Sequence, residues 1–500
     1  MSTLPQFLDG LFRRPAAPEL PSGNLTGHVR ALRDDAVGLM VRAFREKGDL
    51  VRTRLGPFVV HQVFHPRDVE RVLVENQANY TKQTRGYDTL RIFLGQGLVT
   101  SEGDFWRRQR RIAQPAFARA RIAALSDVMV ESTSDMADDW ETLARSGEPF
   151  DIAAEMMRLT LRIAGLTLFG KDLKDGSDEV GQAVSVMLER FNVILKSALP
   201  LWWPTRGKRR GDEAMATLDR VVYQIIAERR KTPAPRPDLL SMLMEAKDEE
   251  TGEGMSDRQL RDEVMTMLVA GHETTANALA WTFYLLSKHP EIAARVEQEI
   301  DRVLGEEKPT AERVRQLVYT DQVLQESMRL YPPVWVVARK AAAPDVLGGY
   351  AIPKGAYVVM CLYVVHRHPS FWTDPEVFDP ERFALERLAA EKAFTATPVR
   401  RMGSEALFDS IVQAGHLFTP KHRPGENVTT VISYQQVAVA VKEDPKNPDN
   451  VKGPKLGGDK PAMGGAMGSP KTAGAYDLER GIEVDFKDAL KKKDVLQLDK

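Results

Sequence analysis

A long apolar stretch between Ser256 and Lys288 constrains the fold of this chain more than any other feature. Ser256 and Gln259 have the spacing of a helix-capping box, and Pro290 lies just past the far end, so the stretch predicts a single helix. About 32 residues at 1.5 Å each give a length of roughly 48 Å, enough to cross a whole domain. The runs VMTMLVA and ALAWTFYLL make the helix apolar on nearly every side. This pattern predicts a buried helix around which the rest of the chain packs.

The centre of this apolar stretch is polar, with the sequence Gly271-His272-Glu273-Thr274-Thr275. Buried polar groups need partners or a purpose. One interpretation is that Thr274 donates back to the carbonyl of Ala270, a bond that proteins form without any catalysis. The other is that this bond opens the helix beside a bound cofactor, where the Thr274 hydroxyl and the Glu273 carboxyl pass protons in a dry cavity. The segment alone leaves both open.

The remaining periodicity predicts a mainly α protein with minor β structure. From about residue 122 to 315 apolar residues recur at helical spacing. Near the N-terminus, LVRTRLG and FVVHQVF read as two strands joined at Gly56-Pro57, and a helix is expected from Pro66 to about Asn76. A second hairpin is predicted between YAI and AYVVMCLY, with Pro353-Lys354-Gly355 as its turn.

Two further sets of residues are spaced to bind carboxylates. Trp106 and Arg110 lie one helical turn apart, so an indole N–H and a guanidinium can share one carboxylate, although a solvated basic helix face explains the same pattern. Glu326 and Arg329 share a helix face at i, i+3, a spacing that is most often an ordinary surface ion pair. Arg382, in the string PERF, can complete a fork of one carboxylate and two guanidinium groups.

The ordered set of WxxxR, AGHETT, ESMR, an arginine after PPVW, IPKG and PERF resembles the cytochrome P-450 (P450) superfamily of soluble bacterial type. The resemblance covers residues 1–384 and implies a P450-like fold that binds haem b and inserts one oxygen atom from O2 into a small apolar substrate. It implies a ferredoxin or flavin reductase as electron donor. It also implies roles for eight residues: Glu273 and Thr274 in oxygen activation, Trp106, Arg110 and Arg339 in binding haem propionates, and Glu326, Arg329 and Arg382 as a structural fork.

The loop that binds iron in this family is not found in the sequence. In P450 enzymes a loop of the form FxxGxRxCxG follows PERF and supplies an axial cysteine thiolate. The chain has one cysteine, Cys361, which precedes PERF and is interpreted as a small buried apolar residue. His416, His422 and Met402 are chemically possible ligands, but none lies in a glycine-rich turn, so no metal ligand is predicted. Two hypotheses follow: a monooxygenase with an unusual or externally supplied ligand, or a catalytically inactive fusion or degenerate P450 that binds haem or an apolar ligand weakly.

Beyond the P450-like region, three segments are predicted. Residues 385–452 form a short helical and extended segment of unknown role, 453–474 a Gly/Pro/Lys-rich linker, and 475–500 a C-terminal tail, so the end of the chain is expected to be partly disordered. The stretch VRRMGSEALFDSIVQAG faintly resembles the C-terminal region of large planctomycete-type proteins. This arrangement suggests a gene fusion.

The charge balance limits the partners that we expect. Lys plus Arg total 69 and Asp plus Glu total 70, so no global basic excess favours nucleic acid. The N-terminal residues contain only short apolar runs and predict neither a membrane anchor nor a signal peptide, which favours the cytoplasm. Locally, Arg107, Arg108 and Arg111 form either a docking surface for an acidic electron donor or a merely solvated basic face.

Overall fold

A computed structural model describes residues 14–23, 26–147, 149–170, 172, 177–195, 207–231, 238–385, 431–433 and 482–484. The chain divides into two units, Met1–Thr419 and Pro420–Lys500. The helices of the first unit are α1 (Val29–Asp34), α2 (Ala36–Lys47), α3 (Pro66–Glu70), α4 (Arg85–Leu94), α5 (Gly103–Ala113), α6 (Arg119–Ala123), α7 (Ser126–Ser146), α8 (Ile152–Phe169), α9 (Ser177–Leu195), α10 (Lys208–Lys231), α11 (Leu239–Glu245), α12 (Asp257–Lys288), α13 (Pro290–Val303), α14 (Ala311–Val314), α15 (Val318–Leu330), α16 (Leu362–Val365) and α17 (Arg382–Leu385). The mainly α fold with minor β structure is therefore confirmed.

The strands of the first unit form one larger and one smaller sheet. They are β1 (Leu50–Leu55), β2 (Phe58–Val63), β3 (Tyr80–Thr81), β4 (Val336–Ala341), β5 (Asp345–Leu347), β6 (Tyr350–Ile352) and β7 (Tyr357–Cys361). The larger sheet has the order β1-β2-β7-β4-β3, with β2 and β7 parallel and the other neighbours antiparallel. The smaller sheet is the antiparallel pair β5-β6. The N-terminal hairpin β1-β2 is thus present as predicted.

The second predicted hairpin is wrong, because β6 and β7 do not pair with each other. The turn at Pro353-Lys354-Gly355 carries the chain from the smaller sheet to the larger one, where Gly355 donates its N–H to the carbonyl of Ala341. There β7 pairs with β2 on one side and β4 on the other. Val358 and Met360 of β7 are fully buried. A strand inside a sheet forms backbone hydrogen bonds along both of its edges, whereas a strand in an isolated hairpin forms them along only one.

The long helix α12 forms as the sequence predicts. Ser256 accepts a hydrogen bond from the backbone of Gln259, and the Gln259 side chain accepts one from the backbone of Ser256, which completes the capping box. The N-terminal half of α12 is buried from Leu260 to Val269 and packs within the largest apolar cluster of the molecule. Its central and C-terminal turns pack against α8 and α15. The helix therefore runs through the middle of the α-helical body and connects its parts.

The second unit is described only at two short strands, β8 (Val431–Ser433) and β9 (Ile482–Val484), which pair in antiparallel fashion. The strand β8 belongs to the predicted segment 385–452 and β9 to the predicted tail 475–500. The linker 453–474 and the helix predicted from Ser404 to Leu417 lie outside the described residues.

Candidate functional site

Helix α5 presents the indole and the guanidinium that its WxxxR spacing predicts on one face. The guanidinium carbon of Arg110 lies 5.5 Å from the centroid of the Trp106 ring. The Trp106 Nε1 is buried and has no hydrogen-bond partner among the described residues. Among those residues, no carboxylate lies within ion-pair distance of Arg110, and burial lowers the pKa of its guanidinium. Both groups are therefore donors that lack an anion.

A second cation, Lys82, lies beside Trp106 and is not indicated by any sequence pattern. Its side chain is only 1% exposed, and its Nζ lies 5.9 Å from the ring centroids of both Trp106 and Tyr87. Burial first, and the nearby positive charge of Arg339 second, hold the pKa of Lys82 well below its usual value. No periodicity or spacing marks this lysine, since only folding shows that it is buried.

Arg339, on strand β4, approaches the same place from the sheet. It is fully buried, donates from Nη1 to the hydroxyl of Tyr87 at 2.7 Å, and lies 5.2 Å from the centroid of the Tyr87 ring. The Tyr87 ring therefore lies close to Lys82 and Arg339, as the Trp106 ring lies close to Lys82 and Arg110. We call these five residues, Lys82, Tyr87, Trp106, Arg110 and Arg339, the cationic cluster.

The central turn of α12 carries the polar residues of the AGHETT motif. Thr274 donates from Oγ1 to the carbonyl of Ala270, the bond that the first sequence interpretation predicts. The helix is assigned without a break from Asp257 to Lys288, and the bond from Thr274 to Ala270 is common to both interpretations. Burial raises the pKa of Glu273, so its carboxyl keeps a proton to higher pH than an ordinary glutamate. These two side chains place a hydroxyl and a proton-holding acid on successive positions of a buried helix.

His272, between Gly271 and Glu273, is oriented away from solvent and toward α8. Its Nε2 lies 3.1 Å from the carbonyl of Met157, and burial lowers the pKa of the imidazole to about 4. The imidazole is therefore neutral at physiological pH and anchors the central turn of α12 to α8.

The fork of Glu326, Arg329 and Arg382 is formed and almost completely buried. Arg329 contacts both oxygens of Glu326, at 2.6 and 2.8 Å, and Arg382 lies 3.3 Å from Oε1 of the same carboxylate. Arg329 also donates to the carbonyls of His366, Pro375 and Val377, so all five of its N–H donors are used. This arrangement ties α15 to the segment that precedes α17.

The basic face of α5 is largely neutralised by acidic residues of the same chain. Arg111 binds Asp248 with Nη2 at 2.7 Å and Glu250 with Nη1 at 2.6 Å. Arg108 lies 3.4 Å from Asp248 and also pairs with Glu253, and Arg107 pairs with Asp104 on its own helix. The turn after α11 thus supplies the carboxylates for Arg108 and Arg111, whereas Arg107 remains largely exposed.

Cys361 is a core residue. It is fully buried among apolar residues of α2, β1 and α16, in a different cluster from Trp106. Burial raises the pKa of its thiol to about 12, so it remains a thiol at neutral pH. This agrees with the interpretation of Cys361 as a small buried apolar residue. Within the described residues, no group of three histidine, cysteine, aspartate or glutamate side chains converges on a metal site.

Comparison with known proteins decides the family. The family model for cytochrome P450 matches residues 18–398, which is most of the chain and extends past the predicted boundary at residue 384. The chain belongs to the cytochrome P450 family.

The chain is also similar to several curated proteins over most of its length. It is 38% identical over 368 residues to cyclooctat-9-en-7-ol 5-monooxygenase of Streptomyces melanosporofaciens, a match that covers 73% of this chain and 78% of the relative. It is 33% identical to pentalenene oxygenase of Streptomyces avermitilis, covering 70% of this chain and 77% of the relative. It is 31% identical to the chloroplastic protein LUTEIN DEFICIENT 5 of Arabidopsis thaliana, covering 74% of this chain and 64% of the relative.

Membership of the P450 family implies haem b as the cofactor. The residues of this chain fit the propionate edge of haem b but not its iron. The Trp106 Nε1, which has no partner among the described residues, and the three cations of the cationic cluster suit the two carboxylates of the haem edge. The iron has no matching thiolate, since the one cysteine of the chain is the buried Cys361 thiol. Separately, no described helix is both long enough and apolar enough to span a membrane.

Proposed function

We propose that this P450 binds haem b through its propionates at the cationic cluster and serves oxygen insertion into a small apolar substrate when an axial ligand is supplied from outside the described fold. The observation that carries the proposal is the cationic cluster itself. Lys82 and Arg339 are buried there, Arg110 is half-buried, and the indole N–H of Trp106 has no partner among the described residues, so a bound anion would be stabilised by all of them.

The residues of α12 support the second half of this proposal. Because burial raises the pKa of Glu273, its carboxyl keeps a proton to higher pH than an ordinary glutamate, and the adjacent Thr274 hydroxyl donates to the carbonyl of Ala270. Both groups are therefore positioned to hold or pass a proton inside the fold. Haem, when bound with a thiolate, supplies the oxygen chemistry of the family. The relatives named for cyclooctat-9-en-7-ol and pentalenene support an apolar, largely hydrocarbon substrate. A ferredoxin or flavin reductase in the cytoplasm is the electron donor that the family suggests.

The competing proposal is a catalytically inactive P450 that binds haem weakly or holds only an apolar ligand. It rests on Cys361, which is fully buried in an apolar cluster separate from the one that contains Trp106. No other cysteine is present in the sequence.

One experiment separates these two proposals. The purified full-length protein is titrated with haem, and its spectrum is recorded after reduction under carbon monoxide, with and without an added thiol as external ligand. Stoichiometric haem binding, with a thiolate-type band only when the thiol is present, supports the first proposal. Failure to bind haem under any condition contradicts it and favours the second.

A single variant tests Cys361 directly. We expect Cys361→Ala to bind haem as the wild type does, because the thiol lies in a separate core cluster. A loss of haem binding in this variant, with the fold intact, would show that Cys361 is the ligand and would overturn the assignment.

A further inference from the structure

The loop Gly95–Ser101, which connects α4 to the segment before α5, is fixed to the buried half of α12. The carboxylate of Asp262 accepts the backbone N–H of Gln96 at 2.8 Å. At Gly97, an added Cβ would lie 2.1 Å from Oγ1 of Thr266, so only glycine allows this approach of the loop to the helix. The loop therefore lies directly against α12.

The peptide groups of Leu98 join two buried ionisable residues. The Leu98 N–H donates to Oε2 of Glu263 at 3.0 Å, and the Leu98 carbonyl accepts from Nζ of Lys82 at 3.2 Å. Glu263 and Lys82 are each only 1% exposed. An acid on α12 and a lysine of the cationic cluster are thus connected through one residue.

The same loop sets the start of α5. Lys82 donates to the carbonyl of Ser101 at 3.0 Å, and the Ser101 hydroxyl donates to the carbonyl of Gly97 at 2.9 Å. The side-chain carboxylate of the next residue, Glu102, accepts a hydrogen bond from the backbone N–H of Lys82. The backbone carbonyl of Glu102 accepts one from the backbone N–H of Trp106 at 3.3 Å, at the beginning of α5. The backbone that leads into Trp106 is therefore fixed by hydrogen bonds to Lys82 and, through the loop, to α12.

We propose that Glu263 is a positioning residue for the cationic cluster: through the Leu98 peptide it fixes Lys82 and the beginning of α5, and thereby the donors Trp106 and Arg110. This inference rests on the proposed function in one respect, namely that the anion held by the cluster is a haem propionate. It adds a role for the N-terminal half of α12, about 16 Å from the turn that carries Thr274.

The surroundings of Glu263 favour a neutral carboxyl that accepts a hydrogen bond over an ionised carboxylate. Asp262 next to it on α12 adds negative charge, while Lys82 beyond the loop is the opposing cation. Burial raises the pKa of Glu263 to about 8, so the carboxyl is largely neutral at pH 6.5. The neutral amide of glutamine, which has the same shape, is therefore expected to substitute for the Glu263 carboxyl at pH 6.5.

The test compares three variants of the full-length protein at pH 6.5. Glu263→Met fills a similar volume and removes the acceptor, Glu263→Gln keeps an acceptor oxygen, and Glu299→Ala is the control. Glu299 is also a buried carboxylate that accepts backbone N–H groups, those of Tyr319 and Thr320, but it lies on α13. Hydrogen exchange of peptides covering residues 95–106 and the haem dissociation constant are measured for each.

We expect Glu263→Met to lose exchange protection over residues 95–106 and to weaken haem binding by at least about tenfold. Glu263→Gln should restore both to within about threefold of the wild type. Glu299→Ala should leave both unchanged while the protein remains folded.

The outcomes distinguish this inference from the proposed function. If the wild type binds no haem, the proposed function fails, and the exchange data alone then decide whether Glu263 positions the loop. Unchanged exchange in Glu263→Met, or an equal effect in Glu299→Ala, overturns the inference. If Glu263→Met does not fold, Glu263→Asp, which shortens the side chain by one methylene, replaces it with the same expected direction.

Discussion

Two buried groups of charged residues in this P450 differ in one respect, the completeness of their pairing. In the fork, Arg329 uses all five donors and both oxygens of Glu326 are engaged. In the cationic cluster, the Trp106 Nε1 has no partner and Arg110 has no carboxylate among the described residues. The first group is complete within the described residues, whereas the second leaves an indole N–H without a partner among them.

The difference shows which buried charges serve the fold and which serve binding. Removing one partner from a complete buried pair leaves an uncompensated charge and is strongly destabilising. Removing a cation that donates only to neutral carbonyls is expected to cost the fold less, while it costs a bound anion its partner. The following predictions test this contrast, from the largest expected effect on stability to the smallest.

Glu326→Ala should give the largest loss of stability. It leaves Arg329 and Arg382 buried without their carboxylate, which is expected to lower the free energy of unfolding by about 3–5 kcal/mol. Urea denaturation followed by circular dichroism measures this loss. As a control, Glu381→Ala breaks the exposed pair with Arg295 and should cost less than about 1 kcal/mol. Equal losses in the two variants would contradict the role of the fork.

His366, whose carbonyl accepts from Arg329, should make the fold sensitive to acid. Burial, and then the charges of Arg329 and Arg367, lower the pKa of its imidazole to about 3. Because this folded pKa lies below the unfolded value of about 6.5, stability is lost as the pH falls from about 6.5 toward 3. His366→Leu should therefore flatten the acid side of the profile of unfolding free energy against pH. A variant profile that parallels the wild type would refute this.

Lys82→Met should separate binding from stability. The charge of this buried lysine is disfavoured, but its Nζ donates to the carbonyls of Leu98 and Ser101. An apolar side chain of similar length is therefore expected to lower the free energy of unfolding by about 1–3 kcal/mol, less than Glu326→Ala. Haem affinity should fall by about tenfold or more, because one donor of the cationic cluster is lost. Haem titration and urea denaturation of the same preparation measure both effects. A variant that unfolds like Glu326→Ala while keeping its haem affinity would reverse the contrast.

Arg107→Ala should have the smallest effect on the fold. Arg107 is largely exposed, and its partner Asp104 is almost fully exposed, so the change in unfolding free energy is expected to be below about 0.5 kcal/mol. If α5 meets an acidic electron donor, Arg107→Ala should weaken that association more than Arg111→Ala, because Arg111 is already paired with Asp248 and Glu250. Binding of a ferredoxin at low ionic strength measures this order.

Much of the fold was readable in the sequence because its signals are local. The capping box at Ser256, the helical spacing of α12 and the turn between β1 and β2 act over a few residues, and all three are present. The back-bond from Thr274 to Ala270 is equally local. The predicted hairpin at Pro353 was wrong because pairing in a sheet depends on which distant strands need their edges satisfied.

The candidate site divides in the same way. Trp106 and Arg110 are one helical turn apart in any helix, and so are Glu326 and Arg329, so their proximity follows from the sequence. The approach of Lys82 to both Tyr87 and Trp106, and the neutralisation of Arg111 by Asp248, join segments that no pattern connects. Such contacts depend on how whole elements pack.

The sequence by itself determined the P450 family, the polar turn at the centre of α12, the fork residues and the lack of a cysteine after PERF, because motif order and residue identity are properties of the chain. Only the tertiary structure decided which buried charges are paired. It shows the fork complete, the Trp106 Nε1 without a partner among the described residues, and Glu263 linked to Lys82 through Leu98. The physical reason is that desolvation and pairing depend on three-dimensional surroundings, which place residues from distant parts of the chain in contact.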